Sequence, residues 1–341
     1  MASITAKPSS HEKLNIFEML FIQTLLLLCS FLSFSSQAPF TKRAFSSGPV
    51  ITQDFPDPAF INVNGTYYAF ATTSRGLNIR MATSPDFDTW TVSDKDALPA
   101  LPAWSSGATW APDVIQVADG TFVMHFTALD SSSNSMHCLG IATSSTVQGP
   151  YTANDNPLVC PLDQGGAIDP GLFFDADGSL YVVYKIDGNS LGGGGICGNG
   201  DESHGTPIML QALNTDGVTL NGDPVQILDR DTNDGPLIEA PYLVLHEGTY
   251  VLFFGSNCFN GPYYDTSYAT ADAITGPYTK AASPLLVSGG NDGALNSPGG
   301  ASVSSDGRQM VFHSDSAAND ASVRQMWTAG ISISGTMVTI S

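Results

Sequence analysis

The chain has 341 residues, with 12 Lys and Arg against 32 Asp and Glu, a formal net charge of -20. A surface this acidic repels phosphate backbones and anionic lipid, which argues against nucleic acid as a partner. Only 13% of residues are Asp, Glu, Lys or Arg while glycines number 34, a balance that favours strands and turns over helices and allows one large core.

The first 38 residues read as a secretory signal peptide: a start carrying Lys7 and Lys13, an apolar run from Met19 to Phe34, then small polar residues to Ala38. A signal anchor is the competing reading, weakened by Gln23, Thr24, Ser30 and Ser33 within the run. Lys42-Arg43 could end a short propeptide, so the folded domain is expected over 44–341. Secretion with no membrane contact after cleavage, and a monomer, are the expectations. Cleavage would remove Cys29 and leave Cys138, Cys160, Cys197 and Cys258, which suggests two disulfides, with Cys138 to Cys160 expected by proximity. Asn64-Gly65-Thr66 is an N-glycosylation sequon and equally a hairpin turn.

One pattern then recurs along the chain: a short entry segment, an apolar strand, a glycine turn and an aromatic-rich strand. Its copies are DPAFINVNGTYYAFATTS from Asp57, APDVIQVADGTFVMHFTALD from Ala111, DPGLFFDADGSLYVVYKID from Asp169, APYLVLHEGTYVLFFGSN from Ala240 and a weaker GASVSSDGRQMVFHSD from Gly300. Each turn places Gly after Asn, Asp or Glu, where a tight hairpin needs positive φ. A third strand and an outer fourth strand follow each hairpin. Repetition at this period predicts an all-β, five-bladed β-propeller of four-stranded antiparallel blades; a sandwich would not repeat one motif five times, and a β-helix would repeat sooner. The glycine-rich stretch 188–205 lacks a phosphate-loop ending and reads as a flexible surface loop.

In a propeller the inner strands meet at the axis, so acids at the start of several repeats gather at one mouth. Asp57 before Pro58, Asp169 before Pro170 and Glu239 two residues before Pro241 stand there, read as one phase of the repeat. Each follows apolar or small residues, a setting that shifts carboxyl pKa values. A protonated acid and a second carboxylate are what glycosidic cleavage requires. The same cluster could bind a divalent cation, the lesser reading since few other oxygen ligands share the phase. No HExxH pair is present, which removes zinc proteases.

From about Val50 onward the sequence resembles glycoside hydrolase family 43, through FPDPAF with NGTYYAFATTS, TWAPDV with GTFVMHF, AIDPGLFFDADGSLYVVYK and IEAPYLVLHEGTYVLFFGSN. The resemblance implies a secreted, inverting hydrolase of arabinose- or xylose-containing plant polysaccharide, with Asp57 as general base, Glu239 as general acid and Asp169 orienting the acid and tuning its pKa. It implies an exo-acting α-L-arabinofuranosidase first, with endo-arabinanase or β-xylosidase as alternatives and a silent carbohydrate-binding propeller as the rival of another class. Trp110 is a candidate sugar platform or, equally, core. Asp113 and Asn257 are weaker candidates for sugar hydroxyls, with turn or blade-end structure the competing role, and Arg324 lies where the resemblance places an arginine near the sugar. Many members carry Gly-Pro-Gly-His with an axial calcium or sodium at the fifth repeat; here Ser297-Pro298-Gly299-Gly300 puts Gly300 in place of that histidine, so no cofactor or metal is expected to be required.

Overall fold

The computed structural model describes residues 44–341 apart from Ile196; the leader and the propeptide boundary expected at 38 to 43 lie outside the described residues. Five four-stranded sheets, each joined antiparallel in chain order from its inner strand outward, form the five blades expected from the repeats. The inner strands are Ala59–Val63, Ser105–Gln116, Ala167–Phe174, Ile238–His246 and Gly299–Val303. Asn64-Gly65 and Glu247-Gly248 have both residues at positive φ, the mirror-image turn that matches strand twist, whereas in the other three hairpins only Gly120, Gly178 and Gly307 do.

The core is a ring of five apolar clusters, each lying between neighbouring blades. Phe70 and Met81 of blade 1 pack with Val114 and Met124 of blade 2, and Ile115 and Leu139 of blade 2 with Leu172 and Leu180 of blade 3. Val183 and Leu210 of blade 3 meet Ile238 and Leu252 of blade 4, and Val251 and Phe253 of blade 4 meet Phe312 and Trp327 of blade 5. Phe60 and Ala69 with Val311 and Met326 close the ring between blades 1 and 5. Burial of alternating strand residues on both faces is what makes the sequence copies so apolar. Closure is reinforced by the segment before blade 1: Ser46, Val50 and Phe55 donate backbone N–H to Thr328, Met326 and Arg324.

The inner strands share a kink. Asp57, Ala111, Asp169, Ala240 and Gly300 occupy one position of the five repeats and all have φ between 42° and 58°. A left-handed conformation costs a residue other than glycine of order 1–2 kcal/mol, and the amide there is held by the preceding blade. Asp57 N donates to His313 Nδ1 at 3.1 Å, Ala111 N to Thr72 Oγ1 at 2.8 Å, Asp169 N to Thr127 Oγ1 at 2.9 Å and Ala240 N to Asp169 Oδ2 at 3.0 Å. This corrects the reading of three acids at one phase. Asp57 and Asp169 share it, whereas Glu239 stands one residue earlier, where Ala240 takes the kink.

The stretch 188–205 is also more fixed than a flexible loop. Cys197 is bonded to Cys258 of blade 4, Asn199 is fully buried and donates to Pro236 O at 2.8 Å, and Arg230 pairs with Glu202 at 3.0 Å. The second disulfide is the expected Cys138 to Cys160 pair. The sequon Asn64 is exposed at its hairpin turn.

Candidate active site

Asp57, at the entry to blade 1, is fixed from three sides. Thr72 Oγ1 donates to its Oδ2 at 2.7 Å, and Arg324 Nη1 reaches both oxygens at 3.1 and 3.2 Å. Burial alone would raise its pKa; the Arg324 guanidinium and the Thr72 hydrogen bond outweigh burial and hold the carboxyl below the ordinary range. His313, fully buried, is pushed down to about 3 by burial and is neutral. Its Nδ1 accepts the Asp57 amide proton, which fixes the tautomer with hydrogen on Nε2.

Across the axis the other two acids are shifted the opposite way. Asp169 is raised by burial and then by the nearby Glu239 carboxyl. Glu239, with its side chain 12% exposed, is raised by burial against the opposing pull of Lys185, whose Nζ lies 3.2 Å from Oε2. One mouth of the propeller therefore holds an ionised carboxylate opposite carboxyls biased toward the protonated form, which is the division of labour that acid and base catalysis needs.

Lys185, Tyr264, His313 and Thr72 are site residues that the sequence reading missed. Lys185 is wholly buried between Asp187 at 3.0 Å and Glu239, and a lysine inside the apolar strand Leu180–Ile186 was a visible signal. Tyr264 is 1% exposed and stacks on His313 with ring centroids 6.0 Å apart. Glycines make room for it: a Cβ at Gly299 would overlap the Tyr264 ring, and one at Gly255 would fall 2.9 Å from its hydroxyl. Gly300 is required likewise, since a Cβ there would lie 2.8 Å from His313 Nδ1 and 3.0 Å from Asp57 Oδ1.

The four candidate substrate residues divide. Arg324 belongs to the centre, and its guanidinium also lies over the Phe259 ring, 5.1 Å from the centroid. Trp110 is half-buried, with one face stacked on His137 at 3.8 Å between centroids. Asp113 is a correction: it is 3% exposed, its oxygens accept N–H from Val114 at 2.9 Å and Leu172 at 2.7 Å, and it ties blade 2 to blade 3 instead of facing sugar. Asn257 adopts a positive φ of 65°, its amide donates to Asp234 O at 2.8 Å, and its side chain packs against Gly235. Its evident work is in shaping that turn.

The sequence model of the glycosyl hydrolases family 43 matches residues 46–330. The extracellular endo-α-(1→5)-L-arabinanase 2 of Bacillus subtilis is 27% identical over 70% of this chain and 53% of its own length. The extracellular endo-α-(1→5)-L-arabinanase 1 of the same organism is 26% identical over 74% of this chain and 80% of its own. The chain thus spans about half the length of the first of these relatives. A crystal structure of a thermostable family-43 glycoside hydrolase superposes with a TM-score of 0.72 at 24% identity, covering 85% of this chain and 93% of that one, which speaks for the fold. With the family match covering four blades and reaching into the fifth, the chain belongs to family 43 of the glycosyl hydrolases.

Proposed function

We propose that the protein hydrolyses arabinose linkages of a plant polysaccharide with inversion, using Asp57 as general base and Glu239 as general acid. The observation that carries this is the opposite bias of the two carboxyls at one mouth of the axis. Asp57 takes a proton from a water whose oxygen bonds to the anomeric carbon. Glu239 gives its proton to the departing glycosidic oxygen as that carbon–oxygen bond breaks. Asp169, itself raised by burial and by Glu239, lies close to the acid and anchors the Ala240 amide beside it. Trp110 and Arg324 are the side chains proposed to face sugar.

Arabinan as the polymer draws support from the relatives named as arabinanases. An exo-acting α-L-arabinofuranosidase remains the first reading, supported by Gly300 at the position where many family members carry histidine, a variant that resembles the exo-acting branch; the relatives' names favour endo action as the second. Export, supported by two disulfides and by relatives named extracellular, and action as a monomer complete the proposal.

No cofactor enters it. An axial calcium would need free oxygen donors, but the carboxylates lining the 30 Å³ axial cavity, Asp57, Asp113 and Asp169, already accept hydrogen bonds, and the rest of the lining is mainly Ala59, Ala111, Ala240, Ala301 and prolines. His313 Nδ1 already accepts a proton from Asp57 N.

The test is the product pattern from linear α-1,5-arabino-oligosaccharides, beside Asp57→Ala and Glu239→Ala. Free arabinose alone, lost in both variants, is the expected result. Short oligomers would give endo action, xylose released only from xylo-oligosaccharides would give a β-xylosidase, and an inactive wild type would overturn the enzyme reading in favour of a carbohydrate-binding propeller.

A further inference from the structure

Family membership leaves unexplained why a lysine with no exposed surface sits against the carboxyl that must donate a proton. Lys185 closes the strand Leu180–Ile186 on the face that carries Val183, and its ammonium lies 3.0 Å from Asp187 Oδ1 and 3.2 Å from Glu239 Oε2. A charge so buried persists only when paired on several sides. Also near Glu239 are Asp169, from the inner strand of blade 3, and the Tyr264 hydroxyl, from the segment entering the third strand of blade 4. Among the described residues Lys185 is therefore the cation acting on the acid, and Asp187 is its counterweight.

We propose that Lys185 is a positioning residue for catalysis: clamped by Asp187, its ammonium holds the Glu239 carboxyl in place and stabilises the carboxylate that remains once the proton has passed to the leaving oxygen. This rests on the reading of Glu239 as general acid. Burial, and after it the Asp187 charge, keep the group protonated beforehand; Lys185 makes the loss of that proton easier at the moment it is needed. The Glu239 O–H bond breaks, the leaving oxygen gains the proton, and the new negative charge faces an ammonium already in position. Asp187 sets how strongly that ammonium acts, because it shares the same charge. It also lies near the His137 ring on which Trp110 stacks, so the clamp adjoins the support of that platform.

The chain has five glutamates, Glu12, Glu18, Glu202, Glu239 and Glu247, so carbon-13 labelling of glutamate carboxyls gives a spectrum simple enough to follow each titration. The Glu239 signal is identified by its loss in Glu239→Gln. Lys185→Met is expected to move the Glu239 midpoint up by about one to three pH units. Asp187→Asn is expected to move it down, and Lys185→Arg to keep it near wild type. The alkaline limb of kcat/KM should follow in the same directions. If Lys185→Met does not fold, Asp187→Asn still decides the matter. A Glu239 midpoint unmoved by either variant, or moved the same way by both, overturns the proposal. Wild-type inactivity on every pentoside would defeat the general-acid reading, while the titration would still report whether the clamp controls Glu239.

Discussion

Arg324, on the third strand of the last blade, reaches both carboxylate oxygens of Asp57, 267 residues earlier in the chain, at 3.1 and 3.2 Å. The ion pair joins blade 5 to blade 1 beside the backbone bonds that close the ring, so the geometry of the proposed base depends on closure of the propeller.

Removing that cation should shift the acid limb of the pH–rate profile. Asp57 is held below the ordinary carboxylate range, and a base works above its own pKa. With Arg324→Met the Asp57 pKa rises, so the acid limb of kcat/KM should move to higher pH by about one to three units. Initial rates between pH 3 and pH 7 check this, and a limb left in place would mean that Asp57 is not the group being titrated.

Glu239→Gln should discriminate between leaving groups. An aryl arabinoside with an acidic phenol departs without protonation, so its hydrolysis should fall far less than that of an arabino-oligosaccharide, which should drop by about 10²–10⁴-fold. Equal losses on both would remove Glu239 from the acid role.

The glycines around Tyr264 give a stability prediction. A Cβ at Gly299 would overlap the Tyr264 ring inside a packed site. Gly299→Ala should therefore lower stability by about 1–3 kcal/mol and reduce activity, measured by urea unfolding and by turnover of one preparation. Glycine at Gly48, where a Cβ meets nothing within 4 Å, supplies the control.

The disulfide Cys197 to Cys258 closes a sequence separation of 61 residues and fastens the stretch 188–205 to the segment carrying Phe259, which covers Arg324. Replacing both cysteines by serine should lower stability by about 2–4 kcal/mol. It should also raise KM more than it lowers kcat, because Phe259 is loosened while Asp57 and Glu239 keep their own anchors.

The five hairpins were legible in the sequence because every copy keeps the strand alternation and a turn glycine, and two acids were legible because they share the kink position. Glu239 was found through its motif, but its phase was misjudged: the kink belongs to Ala240, and nothing in the residue types distinguishes Ala240 from Glu239 as its holder. Asp113 illustrates the opposite limit, since an acid two residues past the kink binds backbone amides of its own and the next blade. Lys185 and His313 lie on second strands, where a sequence pattern gives the face of the sheet but not which carboxylate in another strand the side chain will meet. Tyr264 sits outside the repeat register, so no copy pointed to it.

The most direct test is proton NMR of the first anomer released from an α-L-arabinofuranosyl substrate, with Asp57→Asn in parallel. The account predicts β-L-arabinofuranose before mutarotation from the wild type and no product from the variant. The α anomer appearing first would show retention, and would contradict the assignment of Asp57 as a base acting on water.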